Sequence, residues 1–346
     1  MSESAGITLA ELGRLVDARV EGDGSLRITG VATLRSAGPG ELSFLANSKY
    51  RRYLAETRAG AVVVDESSVA ELHTSALVHA NPYATFARAA RLLAPDPSPA
   101  AGVHPSAVVD DSARIAPGVH VGPRCIVGAG TEIAEGCILH AGAIVGDDCR
   151  IGEGTVLKAG VILADRVALG RGVRVHSGAV IGSDGFGFAR DGDEWVRVPQ
   201  LGGVRVGDHA DIGANTTVDR GALEDTVIGA QVKLDNLVQI GHNCDIGERT
   251  VIAGQAGVAG STTIGRDCMI GGACAIGGHI RLGDGVVVTG GSNVANSIDG
   301  PGVFSSTTTP VETNRSWRRN AVRFTQLDDM ARRLRALERG TDEKEG

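Results

Sequence analysis

Val121-Gly-Pro-Arg-Cys-Ile-Val127-Gly-Ala-Gly-Thr-Glu-Ile133-Ala-Glu-Gly-Cys-Ile-Leu139 places an aliphatic residue at every sixth position, and the same beat continues in both directions. From Val103 to Ile181, fourteen successive slots are Val, Ile or Leu. A period of six is not that of a helix, whose faces recur about every 3.6 residues, nor that of a plain strand, whose faces alternate. It marks a parallel β-helix, in which each hexapeptide forms one side and three complete a coil. The beat resumes at Val206, Ile212 and Val218, slips by four residues at Arg220 to Leu223, and runs from Ile228 to Val294. The twenty-nine slots predict roughly ten coils.

The composition agrees. Fifty glycines and only 3% aromatics suit a narrow prism with no room for rings. Gly commonly follows the aliphatic residue, as at Gly122, Gly152, Gly247 and Gly265, where a tight bend needs positive φ or close backbone approach. All six cysteines (Cys125, Cys137, Cys149, Cys244, Cys268 and Cys274) stand four residues after an aliphatic slot, so each reads as a compact apolar filler. There is no C-x-x-C pair to indicate a zinc ribbon or a redox dithiol. Unpaired buried thiols, and an N-terminus without a basic region followed by an apolar core, point to the cytoplasm. No apolar run is long enough to span a bilayer. Neither a metal nor a nucleic-acid partner is expected.

Three segments are expected. Residues 1–98 mix helical and strand patterns: Leu9, Leu12, Leu15 and Val16 on one helix face, Ala61-Val-Val-Val64 as a buried strand, and a helix from Pro82 to Leu93. Pro95-Asp-Pro-Ser-Pro99 reads as a stiff linker. The β-helix takes residues 99–310, with residues 183–203 extruded and carrying Phe186, Phe188 and Trp195. Such a loop either binds something or meets a neighbouring subunit. Residues 311–346 turn helical, with Leu327, Met330, Leu334 and Leu337 in a short seam that a cyclic homotrimer would cover. The net charge is −7, from 34 basic and 41 acidic residues. Residues 315–339 hold eight Arg against Asp328, Asp329 and Glu338, a local +5 that leaves −12 for the remainder. A basic end on an acidic chain suits an acidic partner, and equally a solvated helix face.

Some chemistries are excluded. There is no G-x-S-x-G nucleophile elbow, no P-loop, and no G-x-G-x-x-G between a strand and a helix. The nine histidines are scattered rather than convergent, which argues against a zinc enzyme. Two of them, His242 and His279, lie outside the inward slots, 37 residues apart, which is two coils plus one residue. Around His242 the segment Leu234-Asp-Asn-Leu-Val-Gln-Ile-Gly-His-Asn243 is unusually polar, and Asp235, Asn236, Gln239 and Asn243 offer donors and acceptors for a sugar or an imidazole. On spacing alone His242 is either a base or a plain surface histidine. In Leu42-Ser-Phe-Leu-Ala-Asn-Ser-Lys-Tyr50, Phe44 and Tyr50 could sandwich a flat base, Asn47 could read its edge and Lys49 could meet a phosphate. A core Phe beside a helix start is the competing reading.

With these residues in view, the chain resembles the UDP-3-O-acylglucosamine N-acyltransferase family of lipid A biosynthesis over nearly its whole length. The matching stretches include Phe44 to Tyr50, Asn81-Pro-Tyr83, Gly182-Ser-Asp-Gly-Phe-Gly187, Thr217-Val-Asp-Arg-Gly-Ala222, Asp235 to Asn243, Met269-Ile-Gly-Gly-Ala273 and Gly277-Gly-His279. The resemblance implies a uridine-binding α/β domain, a left-handed parallel β-helix and C-terminal helices that pack in a trimer, α+β overall. It also implies transfer of a 3-hydroxyacyl chain from the phosphopantetheine of acyl carrier protein to the 2-amine of UDP-3-O-(3-hydroxyacyl)glucosamine, with no other cofactor. By resemblance His242 is the general base, Gly260 supplies the oxyanion-binding N–H, and His279 serves substrate binding and catalysis. Phe44 and Tyr50 then stack on uracil beside Asn47, and Arg315, Arg318, Arg319 and Arg323 form part of a dock for the acidic carrier protein. The chain departs from the pattern after Thr289-Gly290, where relatives can carry bulky methionines and this chain has Gly291-Ser-Asn-Val-Ala-Asn296, so acyl length is not implied. The rival readings are another hexapeptide-repeat acyltransferase, using a different nucleotide sugar or acyl-CoA, and a scaffold without chemistry.

Overall fold

A computed structural model describes residues 6–95, 98–306 and 313–342, with side chains to residue 337. The chain divides into two compact units, Met1–Ser98 and Pro99–Gly346.

The first unit is built on a five-stranded sheet, in spatial order Arg19–Glu21, Ser75–Val78, Ala61–Val64, Glu41–Phe44 and Gly30–Val31. The central Ala61–Val64 strand has no exposed face. Ala61 and Val63 pack with Leu9, Leu12 and Leu77, while Val62 and Val64 pack with Leu34 and Leu54 on the other side. A strand buried on both faces reads as an unbroken apolar run, which is why it was legible. The helix Pro82–Leu93 begins at Asn81, whose Oδ1 accepts the Ala84 N–H at 3.1 Å, with Pro at its first position.

The second unit is the prism. Three parallel sheets of nine, eleven and ten strands form its sides, and successive strands pair in an eighteen-residue register: Val121 with Leu139, Val127 with Val145, Ile133 with Ile151. The slot residues point inward into one continuous core, each contributing roughly 1.5–3 kcal/mol of burial. At the first coil the core opens to the end of the prism, and Val103 is half exposed.

The corners divide two demands among neighbouring residues. The glycine after the slot serves close approach: a Cβ at Gly152 would lie 2.5 Å from the Gly170 carbonyl. Positive φ falls two residues later, at Arg124, Asn243 and His279 among others, with φ 57°, 58° and 57°. The cysteine slot is also more than filler. All six thiols are buried and free, and each donates to a corner carbonyl fifteen residues on, as Cys137 does to Gly152 at 3.1 Å and Cys244 to Ala259 at 3.2 Å. Thr131, Thr155, Thr250 and Thr262 occupy the same slot and make the same bond with their hydroxyls, at 2.7–2.9 Å. The slot therefore selects a small side chain with a donor, which hydrogen-bonds a corner carbonyl of the next coil.

Candidate active site

The two breaks in the period lie against each other. Residues 183–203 leave the prism after the strand Val180–Ser183, form a hairpin of Phe188–Asp191 with Glu194–Arg197, and return at Val204. The four-residue slip at 220–223 meets the base of this loop: Leu201 N–H donates to the Ala222 carbonyl at 2.7 Å and Gly202 N–H to the Gly221 carbonyl at 3.0 Å. Arg220, buried, fixes the junction by donating to the carbonyls of Gly182 and Asp165, both at 2.8 Å.

His242 sits where these segments converge, at the corner after the strand Gln239–Ile240. Asn243 beside it is held by its own amide: Nδ2 donates to the Glu224 carbonyl at 3.2 Å and Oδ1 accepts the Ala222 N–H at 2.9 Å. These bonds settle which end of the amide is oxygen. That oxygen lies 3.0 Å from His242 Nδ1. An acceptor facing Nδ1 requires a proton there, so in the neutral ring the lone pair is on Nε2.

Nε2 is directed toward the next coil. A Cβ built on Gly260, eighteen residues ahead, would lie 2.7 Å from Nε2, 2.8 Å from Cε1 and 3.0 Å from Cδ2 of His242. The imidazole thus occupies the space a side chain at Gly260 would need. The Gly260 N–H has no protein acceptor among the described residues. On its other flank the ring is backed by the extruded loop, since a Cβ on Gly185 would meet His242 Cβ at 2.6 Å. Spacing alone placed no loop residue here.

The other polar residues of this segment sort by position. His279 is exposed at the same corner two coils up, and its N–H donates to the Gly260 carbonyl at 3.1 Å. Gln239 Nε2 donates to Asp219 Oδ2 at 2.8 Å. Asp235 and Asn236 stand on the preceding corner, across the Gln239–Ile240 strand from His242. Their oxygens accept backbone N–H groups, Asp235 Oδ2 from Gly254 at 2.9 Å and Asn236 Oδ1 from Ala214 at 2.7 Å. Asp219, not singled out in the sequence reading, is a half-buried carboxyl pushed up to about 6, chiefly by burial; Gln239 and His242 pull it down and Asp184 adds to the rise.

In the first unit, Phe44, Asn47 and Tyr50 line a hollow of about 590 Å³ together with Leu34, Tyr53 and Tyr83. Phe44 also stacks on Phe86 at 4.2 Å, so it is both wall and core. Asn47 Oδ1 caps the turn Ser48–Tyr53 by accepting the Lys49 N–H at 3.0 Å. Lys49 is exposed and is not among the residues lining the hollow. Tyr53 and Tyr83 were missed, although Tyr83 falls in a quoted motif.

At the C-terminus the helices Asn314–Thr325 and Leu327–Asp342 leave Trp317, Phe324, Leu327, Met330, Leu334 and Leu337 each more than half exposed. Arg315, Arg318, Arg319 and Arg323 are exposed, with no acidic partner among the described residues, whereas Asp328 and Asp329 pair with Arg332 and Arg333. Among the described residues no cluster of His, Cys, Asp and Glu is arranged to hold a metal ion, and no helix is long and apolar enough to cross a membrane.

Comparison with known proteins bears on these geometries. The family model for UDP-3-O-(3-hydroxymyristoyl) glucosamine N-acyltransferase, LpxD, matches residues 25–92. Hexapeptide-repeat models match residues 225–260 and 261–295, and the model of the GMPPB C-terminal domain matches residues 98–185. A UDP-3-O-acylglucosamine N-acyltransferase from Xanthomonas campestris is 60% identical over 331 residues, covering 96% of this chain and 98% of its own. Relatives of the same name from Shewanella denitrificans and Coxiella burnetii are 56% and 45% identical, over 96% and 98% of this chain and 98% and 99% of theirs. The chain belongs to the UDP-3-O-acylglucosamine N-acyltransferase family.

The frame of this N-acyltransferase family member is a parallel β-helix. Among solved structures, an Arabidopsis UDP-N-acetylglucosamine acyltransferase aligns with a TM-score of 0.51 at 25% identity, covering 63% of this chain and 76% of that one. The corner that joins His242, Asn243 and Gly260 brings together an imidazole whose Nε2 lone pair is directed at the next coil and, on Gly260, an N–H without a protein acceptor among the described residues.

Proposed function

We propose that this chain transfers a 3-hydroxyacyl group from acyl carrier protein to the 2-amine of UDP-3-O-(3-hydroxyacyl)glucosamine, giving the UDP-2,3-diacylglucosamine used in lipid A biosynthesis. The observation that carries the mechanism is the Asn243 oxygen 3.0 Å from His242 Nδ1, which leaves Nε2 as the acceptor. The amine nitrogen attacks the thioester carbonyl and gives a proton to His242 Nε2. The carbonyl oxygen becomes an oxyanion, for which the uncommitted Gly260 N–H is the donor. Collapse breaks the carbon–sulfur bond, and the imidazolium returns the proton to the departing phosphopantetheine thiolate. His279, one coil beyond Gly260, serves as a contact for the bound substrates.

The aromatic hollow of the first unit suits a uracil ring, with Phe44 and Tyr50 as stacking faces and the Asn47 amide at its edge; Lys49, exposed and outside the lining, is assigned to a phosphate. We take Gln239 and Asn243 as substrate-facing polar groups that also order the corner, and assign Asp235 and Asn236 to the rim of the same strand. The exposed arginines Arg315, Arg318, Arg319 and Arg323 suit an acidic carrier protein, and the exposed apolar stripe of the C-terminal helices suits packing in a homotrimer. A cytoplasmic setting fits six free thiols.

The test is product mass spectrometry with UDP-3-O-(3-hydroxyacyl)glucosamine and a set of 3-hydroxyacyl carrier proteins, beside His242→Ala. An amide product that the variant does not form supports the reading, and the preferred donor reports the acyl length. Turnover with acyl-CoA that survives deletion of the C-terminal helices would favour a different acyltransferase.

A further inference from the structure

Several carboxylates at the corners of the prism are held in ion pairs. Asp208 is gripped by Arg171 and Asp284 by Arg266, each at 2.9 Å, and Asp267 by Arg249 at 2.7 Å. All three are held below the usual carboxylate range, Asp208 and Asp284 first by the backbone N–H and then the guanidinium of the same arginine, Asp267 by the Arg249 guanidinium. Asp219 differs from these three in being half-buried as well as outside any ion pair. Among the described residues it has no Arg or Lys partner. Arg220, its neighbour in sequence, turns its guanidinium to two backbone carbonyls instead.

The position of this carboxyl follows from the coil. Val218 fills the inward slot, so Asp219 lies outside it, past the end of the strand where the prism bends. The parallel register pairs Thr217 with Gln239 and Val218 with Ile240, which carries Asp219 alongside Gly241, one residue from His242. On the other side Asp219 pairs with Ser183 across a bulge at the root of the extruded loop. The groups facing it are Gln239, which donates to Oδ2 at 2.8 Å, His242, Asp184 from the loop and, inside the prism, Cys244. Asp184 is drawn toward Arg197 of the hairpin, 3.7 Å away. His242 is therefore the one group around Asp219 that gains positive charge during the proposed reaction.

We propose that Asp219 is a positioning residue of the acyl transfer: its carboxylate anchors Gln239 and stabilises the His242 imidazolium formed when the amine gives up its proton. The proposal rests on His242 being the base. A half-buried, unpaired carboxylate is costly to the fold, and burial raises its titration to about 6, so near neutrality it is charged and able to act.

Asp219→Asn separates the two roles, since the amide oxygen still accepts from Gln239 while the charge is gone. It is expected to fold, because it removes an uncompensated charge. Two readouts are taken: the pH profile of kcat/KM, and the pH midpoint for carbethoxylation of His242 by diethylpyrocarbonate, followed by peptide mass spectrometry. Without the carboxylate the imidazolium is less favoured, so the acid limb and the midpoint both move to lower pH by about half a unit or more. The maximal kcat falls about tenfold or more, while KM for the sugar nucleotide stays within about threefold. A rate loss with unmoved limb and midpoint, or an unimpaired rate, overturns the proposal alone provided His242→Gln is inactive. Full turnover in His242→Gln overturns the base assignment and this proposal with it.

Discussion

Asn243 Oδ1 stands 3.0 Å from His242 Nδ1, and this contact selects the tautomer of the imidazole. The amide cannot turn over, because Ala222 and Glu224 hold its two ends. Asn243 also has φ 58°, so alanine there would confound strain with chemistry. Asn243→Gly accepts the backbone and removes the orienting oxygen; kcat is expected to fall about a hundredfold with little change in KM. Asn243→Asp keeps an acceptor at Nδ1 and should retain activity within about tenfold of the parent. Equal losses in both variants, measured by steady-state kinetics, would refute the tautomer assignment.

Gly260→Ala tests the packing of the ring. The new methyl would sit 2.7 Å from His242 Nε2, so the imidazole must swing away, and a displacement of this size costs about a hundredfold in kcat. The prism should survive, as far-ultraviolet circular dichroism would report, because the neighbouring ladder bonds do not use this side chain. Retention of full activity would mean that His242 does not work from the position described.

Stability should depend on pH through Asp219. Its carboxyl titrates at about 6 in the fold against 3.8 for the free group, so the folded chain holds the proton more tightly. A raised carboxyl contributes stability that is fully present below the unfolded value and is lost as pH rises through about 6. Asp219→Asn is therefore expected to raise Tm near neutrality, by about 2 °C or more, and to make no difference in acid below the unfolded value. Thermal melts at both pH values check the sign.

The cysteine slot predicts a graded series. Cys149→Thr keeps a donor to the Ala164 carbonyl and should cost about 1 kcal/mol or less, whereas Cys149→Ala leaves that carbonyl without its donor at about 1–3 kcal/mol. Thiol titration of the intact protein should find none of the six reactive until denaturant is added, since burial raises Cys125, Cys137, Cys149, Cys244 and Cys268 alike. Urea melts and a thiol count give the two answers.

Reversing Arg318 and Arg319 to Glu should raise KM for the acyl carrier protein about tenfold and leave KM for the sugar nucleotide unchanged, with the difference shrinking at high salt. An unchanged KM for the carrier protein would leave the solvated-face reading of these arginines in its place.

The prism was legible because its core is one contact repeated, so the same residue type recurs at the same interval. The site lies where the repeat fails, and there the sequence is a weaker guide. Both breaks, at 183–203 and 220–223, could be seen in the chain, but their mutual contact depends on how far each segment is pushed out of a corner. His242 stood out because no inward slot claimed it. Asp219 did not, because what distinguishes it is burial next to His242 with no guanidinium turned toward it, and that shows only in the folded coil, where Arg220 faces elsewhere. Asp235 and Asn236 look like neighbours of His242 along the chain, yet the coil sets a strand between them and engages their oxygens in the scaffold.

The eighteen-residue register turns sequence position into an address. His242, Gly260 and Gly278 share one corner column, as do Asn243, Ser261 and His279 in the column beside it. Removing one residue from the stretch between His242 and Gly260 would turn everything downstream to a different face and scatter the column. Removing a complete coil from the plain stretch before residue 181 would only shorten the rod. Length is thus free to vary in units of a coil, and the chemistry is tied to the phase of the repeat.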